Sequence, residues 1–200
     1  MLKPAIDLLA GWLVAPLVAS YAVKRRLIGD ERAYLEQSER AARWTGLLGE
    51  RRRRQLHRRL GTPVGDGAIL RFGCILERPP LSIGRFTVIG HYANVQHARI
   101  GSDCLISDFV YILDGPRQHN FDRLDVPIRD QGITIEQVSV GCDSWIGGHA
   151  VILADVGEHC IVGATSVVTK PVPDYKIVAG NPAWVVGDRR DRGDRPGPGA

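Results

Sequence analysis

Six histidines are scattered through this 200-residue chain, and one of them, His119, stands outside every periodic stretch, in the segment GPRQHNFD at 115–122. Imidazole has an unperturbed pKa of about 6.5 and keeps one ring nitrogen free to take a proton, so a histidine held on a loop could serve as a general base toward a hydroxyl. It could equally be a polar residue on a surface loop. Asp122 and Asp125 follow closely, where either could orient His119 or meet a polar ligand, and where loop solvation explains them as well. Tyr92 and Asn94, in HYANVQH, offer an aromatic face and an amide that both donates and accepts, or else line a polar outer surface. The remaining histidines raise a metal reading, but His91 and His97 are the close pair and His149 and His159 lie far along the chain, so no metal site is expected. Cys74, Cys104, Cys142 and Cys160 include no C-x-x-C pair; they read as small apolar fillers in a reducing compartment.

The elements that must position these residues come from a repeat. Aliphatic residues recur six apart at Ile83, Ile89 and Val95, at Ile100, Ile106 and Ile112, at Val140, Ile146 and Ile152, and at Val156, Val162 and Val168, with glycine following many of them. A hexad is too short for a helical repeat, and β-branched residues between glycines suit short strands joined by tight corners. Three hexads then make one triangular coil whose aliphatic residues point inward and stack on the next coil. Trp145, just before the inward Ile146, must face outward, where a large indole needs cover. Between Ile112 and Val140 the rhythm is interrupted by 28 residues, enough for a projecting loop over 114–138.

The N-terminal third has another texture. Leu8 to Val23 is an uncharged run of 16 residues followed by KRR. A membrane span usually needs about 20 apolar residues, and Asp7 and Pro16 weaken this one further. V-A-S at 18–20 would tolerate signal cleavage, but cations directly after an apolar run favour retention. Residues 1–23 are therefore expected to form a membrane-interface helix or a buried one. Residues 24–62 should form a basic helical segment, with two helices over 30–60 broken near Gly46 and Gly49 and the second strongly basic. Lys24 to Leu60 carry twelve Lys or Arg against five Asp or Glu, and RRRRQLHRR reads as a solvated face or as a contact for anionic lipid. It has no interleaved aromatics, and no nucleic-acid partner is expected.

IGRFTVIGHYANV, VGCDSWIGGHAVI and VGATSVV resemble the hexapeptide repeats of the left-handed β-helix acyltransferases. The stretch Ile83 to Val186 is similar more narrowly to the galactoside, maltose and polysaccharide O-acetyltransferase branch, in DGPRQHNFDRLDVPIRDQG, SWIGGH, VVTK and AGNPAWVV. The resemblance implies a mainly β fold, a left-handed parallel β-helix of hexapeptide repeats, to which the helical N-terminus is an extension. It implies an acetyltransferase that moves acetyl from acetyl-coenzyme A to a hydroxyl of a sugar, polysaccharide or glycolipid precursor, and a homotrimer with sites between subunits. His119 would match the catalytic base, and Tyr92, Asn94 and Asp122 the acceptor side. Trp145, Gly147, Ala164, Thr169 and Lys170 would match the coenzyme A side, with lysine meeting a phosphate. A non-catalytic scaffold and a γ-carbonic-anhydrase-like zinc enzyme are the alternatives this architecture leaves.

The expected organisation is a coil over 63–175, a C-terminal docking segment over 176–187 and a disordered tail over 188–200. The expected location is the cytoplasm, with residues 1–60 touching the inner face of the cell membrane. Two departures from the branch stand out. Ile152 and Val156 are four apart where the rhythm asks for six, so one corner must be shortened or shifted in register. Trp184 follows N-P-A where Lys or Arg is usual, which removes one expected cation.

Overall fold

The computed structural model describes residues 2–77 and 79–192. Three helices come first: α1 (Leu2–Ile28), α2 (Asp30–Ala42) and α3 (Gly46–Arg59). The break falls at residues 43–45, and Gly49 lies inside α3 rather than at its end. It is needed there for close packing, since a Cβ would meet the Trp44 carbonyl carbon at 2.7 Å. The helix α1 runs past Val23 to Ile28 with Pro16 inside it.

After the helices the chain winds through three parallel sheets in rotation. The first holds β1 (Ile69–Leu70), β4 (Val88–Ile89), β7 (Leu105–Ile106), β10 (Trp145–Ile146), β12 (Ile161–Val162) and β14 (Lys176–Ala179), and ends on the antiparallel β15 (Trp184–Asp188). The second holds β2 (Ile75–Leu76), β5 (Asn94–Val95), β8 (Tyr111–Ile112), β11 (Val151–Ile152) and β13 (Val167–Val168). The third holds β3 (Ser82–Ile83), β6 (Ala98–Ile100) and β9 (Val138–Val140). Registers keep the aliphatic columns intact, as in Ile89 beside Ile106, Ile106 beside Ile146 and Ile146 beside Val162.

The short corner after Ile152 is absorbed by shortening. The third sheet continues as the single bridges Val140 to Val156 and Val156 to Val172. The other two sheets hold register across it, Ile146 on Val162 and Ile152 on Val168. Two residues before each aliphatic position, strand alternation turns a second side chain inward. Ala68, Cys74, Thr87, Ala93, Cys104, Ser144, Ala150, Cys160 and Ser166 fill that column and are buried. Where the small residue is polar its hydroxyl bonds the coil wall: Thr87 Oγ1 donates to Gly101 O at 2.6 Å and Ser144 Oγ to Gly157 O at 2.8 Å. Hydroxyls in this column therefore leave no unmet polar group.

One corner column is aromatic. Tyr92, Phe109 and His149 take left-handed φ of 54°, 58° and 60° and stack at 5.2 and 4.9 Å, with Phe72 edge-on to Tyr92. A left-handed non-glycine residue costs roughly 1–2 kcal/mol. Ring stacking and the bonds of Tyr92 N to Phe72 O and Phe109 N to His91 O offset it.

The open edge of the first coil is covered by α2 and α3. Arg53 Nε donates to Leu70 O at 2.7 Å, Arg54 to Ala68 O at 3.3 Å and Arg58 Nε to Val64 O at 2.7 Å, while Leu76 N donates to Ser38 Oγ and Gly73 N to Ala42 O. The basic run is thus not simply a solvated face: Arg53 and Arg54 turn inward and are 1% and 5% exposed, because an uncovered sheet edge leaves carbonyls that guanidinium forks can satisfy. At the far end, Asp188 accepts from Lys176 Nζ and Arg190, and Arg190–Arg192 form a 3-10 turn; 193–200 lie outside the described residues.

Candidate functional site

The interrupting loop leaves β8 on the second sheet and returns at β9 on the third. It is a short hairpin folded back on itself. His119 bridges Ile133 antiparallel, Asn120 N donates to Gly132 O and Thr134 N to Gln118 O, each at 3.1 Å, and Thr134 Oγ1 donates to Asn120 Oδ1 at 3.0 Å. These bonds place His119 at the rim of a cleft of about 220 Å³ lined by Gln96, Asp114, Gln118, Ile133 and Ile135. The His119 ring is exposed and makes no hydrogen bond among the described residues. Asp125 does not orient it: Arg123 grips that carboxylate with two nitrogens and holds it below the usual carboxylate range. Asp122 is exposed on the same loop and pairs with nothing among the described residues.

Asn94 lies on the outer side of β5, two residues before Gln96, and the two belong to one hydrogen-bonded chain. Glu77 accepts from Asn94 Nδ2 and from Gln96 Nε2, and Gln96 Oε1 accepts from Gln118 Nε2 at 2.5 Å and from Asp114 N at 3.2 Å. Asn94 and the His119 cleft are therefore coupled through Glu77 and Gln96, both absent from the sequence expectations. Gln96 was within reach of strand alternation, since Asn94 and Gln96 flank the inward Val95. Glu77 precedes the motif-bearing stretch and carries no signal of its own. Asn94 Oδ1 is buried without a hydrogen-bond partner among the described residues. Tyr92 stands at the preceding corner, stacked on Phe109 and half exposed.

Trp145 does face outward, from the first sheet, with its Nε1 donating to Ser107 Oγ at 3.1 Å. It lines an open trough of about 920 Å³ with Arg71, Leu105, Ser107, Phe109 and His149. Gly147 follows and stacks under Ala164; a Cβ there would lie 2.5 Å from Ala164 N, so the coil cannot carry a larger residue at that height. Thr169 and Lys170 lie exposed beyond β13, at the end of the second sheet. Lys170 Nζ sits 5.7 Å over the Trp184 ring, so the tryptophan that replaces a cation holds one instead. The fold thus brings Asn94 near His119, and Trp145, Gly147 and Ala164 together. It sets these two groups on different faces of the coil. Among the described residues no three His, Cys, Asp or Glu side chains are grouped to hold a metal.

No family model matches the chain. Over 123 residues it is 37% identical to a Mycobacterium tuberculosis protein named probable acetyltransferase Rv3034c, an alignment covering 60% of this chain and 38% of that protein. Over 103 residues it is 31% identical to WbbJ of Escherichia coli, named for lipopolysaccharide biosynthesis as an O-acetyl transferase, covering 48% of this chain and 53% of WbbJ. The chain spans no more than about half the length of either relative. Among solved structures, AntD, an N-acyltransferase from Bacillus cereus in complex with dTDP and 3-hydroxybutyryl-CoA, matches with a TM-score of 0.57 at 21% identity over 65% of this chain and 74% of its own. That likeness is one of fold. Over part of its length this chain is thus similar to proteins named acetyltransferases, and its fold is like that of AntD.

Proposed function

We propose that the protein is an O-acetyltransferase that moves acetyl from acetyl-coenzyme A to a hydroxyl of a sugar, polysaccharide or glycolipid precursor in the cytoplasm, with its coil wound left-handed as in the acyltransferases it resembles. The observation that carries this reading is the exposed His119, held by a hairpin at the rim of a polar cleft that Gln96 and Glu77 link to Asn94, whose Oδ1 has no hydrogen-bond partner among the described residues. The acceptor hydroxyl would donate to a His119 ring nitrogen, and its oxygen would attack the thioester carbonyl carbon as the proton passes to imidazole. Backbone N–H groups would stabilise the oxyanion. As the carbon–sulfur bond breaks, the leaving thiolate takes the proton back from His119, giving an acetyl ester and a free thiol with no acyl-enzyme. Asn94, Tyr92 and Asp122 would hold the acceptor.

The trough fits an apolar thioester arm. Trp145 and Leu105 give it an apolar wall, Ala164 lies exposed over the buried Gly147, and Thr169 and Lys170 stand exposed at the end of the second sheet, where lysine would meet a phosphate. Because Trp145 and His119 occupy different faces, the reading requires sites between neighbouring copies, as in a homotrimer. Outward Leu105, Phe109, Tyr111 and Trp145 give such an assembly apolar surface to cover. The test is acetyl-coenzyme A turnover against a panel of sugars and glycolipids. His119→Ala should lower kcat/KM by about 10²–10⁴-fold with the coil still folded; unchanged turnover in that variant would sink the mechanism.

A further inference from the structure

Nothing in acyl transfer needs α1, yet its outer face is the largest continuous apolar surface on the helical end. Across the α2 and α3 side, Ala10 and Val14 are fully buried and Tyr21 nearly so, and Asp7 pairs with Arg54 at 2.8 Å and Arg51 at 3.5 Å. On the opposite side Leu8, Leu9, Trp12, Leu13, Val23 and Leu27 point to solvent, with Pro16 and Ala19 between them. Leu8, Trp12, Val23 and Leu27 are 61–77% exposed. At 1.5 Å per residue this stripe runs about 28 Å, and no charged side chain interrupts it from Leu8 to Val23. A soluble surface helix shows the reverse pattern, apolar inward and polar outward. Of this chain's own residues outside the described ones, 193–200 read GDRPGPGA and hold no large apolar side chain to cover it.

Cations border the stripe. Arg26 lies at its C-terminal end, and the Arg59 guanidinium lies at its margin beside Gly11, where a Cβ would come within 2.9 Å. Neither arginine pairs with a carboxylate among the described residues, whereas Lys24 and Arg25 are tied to Glu36 and Asp30. An apolar stripe with an exposed indole and free arginines at its edge matches an anionic lipid surface in both halves of its chemistry. Ile6–Ile28 is also long and apolar enough to cross a membrane by length and composition. Crossing would strip α1 from α2 and α3, expose Ala10, Val14 and Tyr21, and break Asp7 from Arg54. Lying flat keeps all of these contacts and buries only the side that is open. A second copy of this chain could cover the apolar stripe, but its α1 has no Asp or Glu after Asp7 to meet Arg26 and Arg59.

We propose that the outer face of α1 docks in the plane of an anionic lipid surface without crossing it, holding the helix-capped end of the coil against the membrane. The proposal does not depend on the acyl-transfer reading, and its test reads binding alone. Full-length protein should float with vesicles of phosphatidylcholine containing about a third phosphatidylglycerol, bind pure phosphatidylcholine far more weakly, and be released by alkaline carbonate. Trp12→Glu and Val23→Glu lie on the open side, so each should abolish flotation while leaving circular dichroism and thermal midpoint unchanged. Arg26→Gln should weaken binding to the anionic vesicles about fivefold, since one cation near such a surface contributes about 1 kcal/mol. Retention after carbonate would overturn in-plane docking in favour of a span. Failure of the wild type to float, with Trp12→Glu instead lowering the sedimenting mass, would assign the face to a second copy and overturn the proposal.

Discussion

The helical cap and the coil bury their interiors by opposite means. The coil stacks one aliphatic column per sheet, Ile89, Ile106, Ile146 and Val162 in the first, beside a second column of small residues. The cap buries Arg53, Arg54, His57, Gln37 and Ser38 with Tyr34. Tyr34 Oη meets His57 Nδ1 at 2.8 Å and Thr62 Oγ1 at 2.6 Å. The difference follows from what each must cover. A middle coil has a coil above and below to take its backbone hydrogen bonds, so its side chains need supply only volume. The first coil has a free edge, and whatever lies on it must bring donors and acceptors of its own.

Deleting a donor in the cap should therefore cost more than deleting volume in the coil. Arg53→Met keeps the length of the side chain but leaves Leu70 O and Trp44 O without their donor. About 4 kcal/mol should be lost, from one buried and one partly buried acceptor at roughly 1–3 kcal/mol each. Ile146→Ala should cost about 3 kcal/mol, within the usual range for a buried aliphatic truncated to alanine. Urea titration of both variants checks the order. If Arg53→Met proved the milder, the edge-covering account of the basic run would fail.

This contrast also explains what the sequence made legible. The coil was readable because each coil presents the same problem and solves it with the same residue type at the same spacing. Even its irregularity at Ile152 to Val156 could be located, although only the fold shows that the third sheet thins to a bridge while its neighbours keep register. The His119 loop stood out as a break in that rhythm, and Trp145 could be turned outward from its place beside Ile146. The Glu77, Gln96 and Gln118 chain was not visible, because it joins residues of three separate turns by side-chain geometry rather than spacing. In the cap, RRRRQLHRR has the same composition whether its arginines face water or carbonyls. Only the position of the uncovered edge decides between them.

A smaller effect tests the coil side of the comparison. Gly147→Ala adds one methyl group where Ala164 N lies 2.5 Å away, so two coils must move apart at a site that supplies only volume. The expected cost is about 2 kcal/mol, typical of overpacking, read as a lower urea midpoint with an unchanged slope. A neutral result would mean that stacked coils slide more freely than their continuous register implies.

A last effect separates the regions by pH. Burial, reinforced by the Arg53 charge, pushes the His57 imidazole down to about 3, while in the unfolded chain it should titrate near 6.5. Between those values the unfolded state binds a proton that the native state refuses. The stability His57 contributes is thus fully present above about pH 6.5 and is lost as pH falls toward 3, with a limiting slope of about 1.4 kcal/mol per pH unit. In the coil, burial pushes the Cys74 and Cys104 thiols up to about 12 and about 11, so they stay neutral throughout this window. The His57 contribution to acid sensitivity between pH 6.5 and 5 therefore belongs to the cap. Urea midpoints at pH 7.5, 6 and 5 should fall in the wild type and flatten in His57→Gln. An equal fall in both would place the acid-sensitive group elsewhere and remove His57 from the account of how the cap differs from the coil.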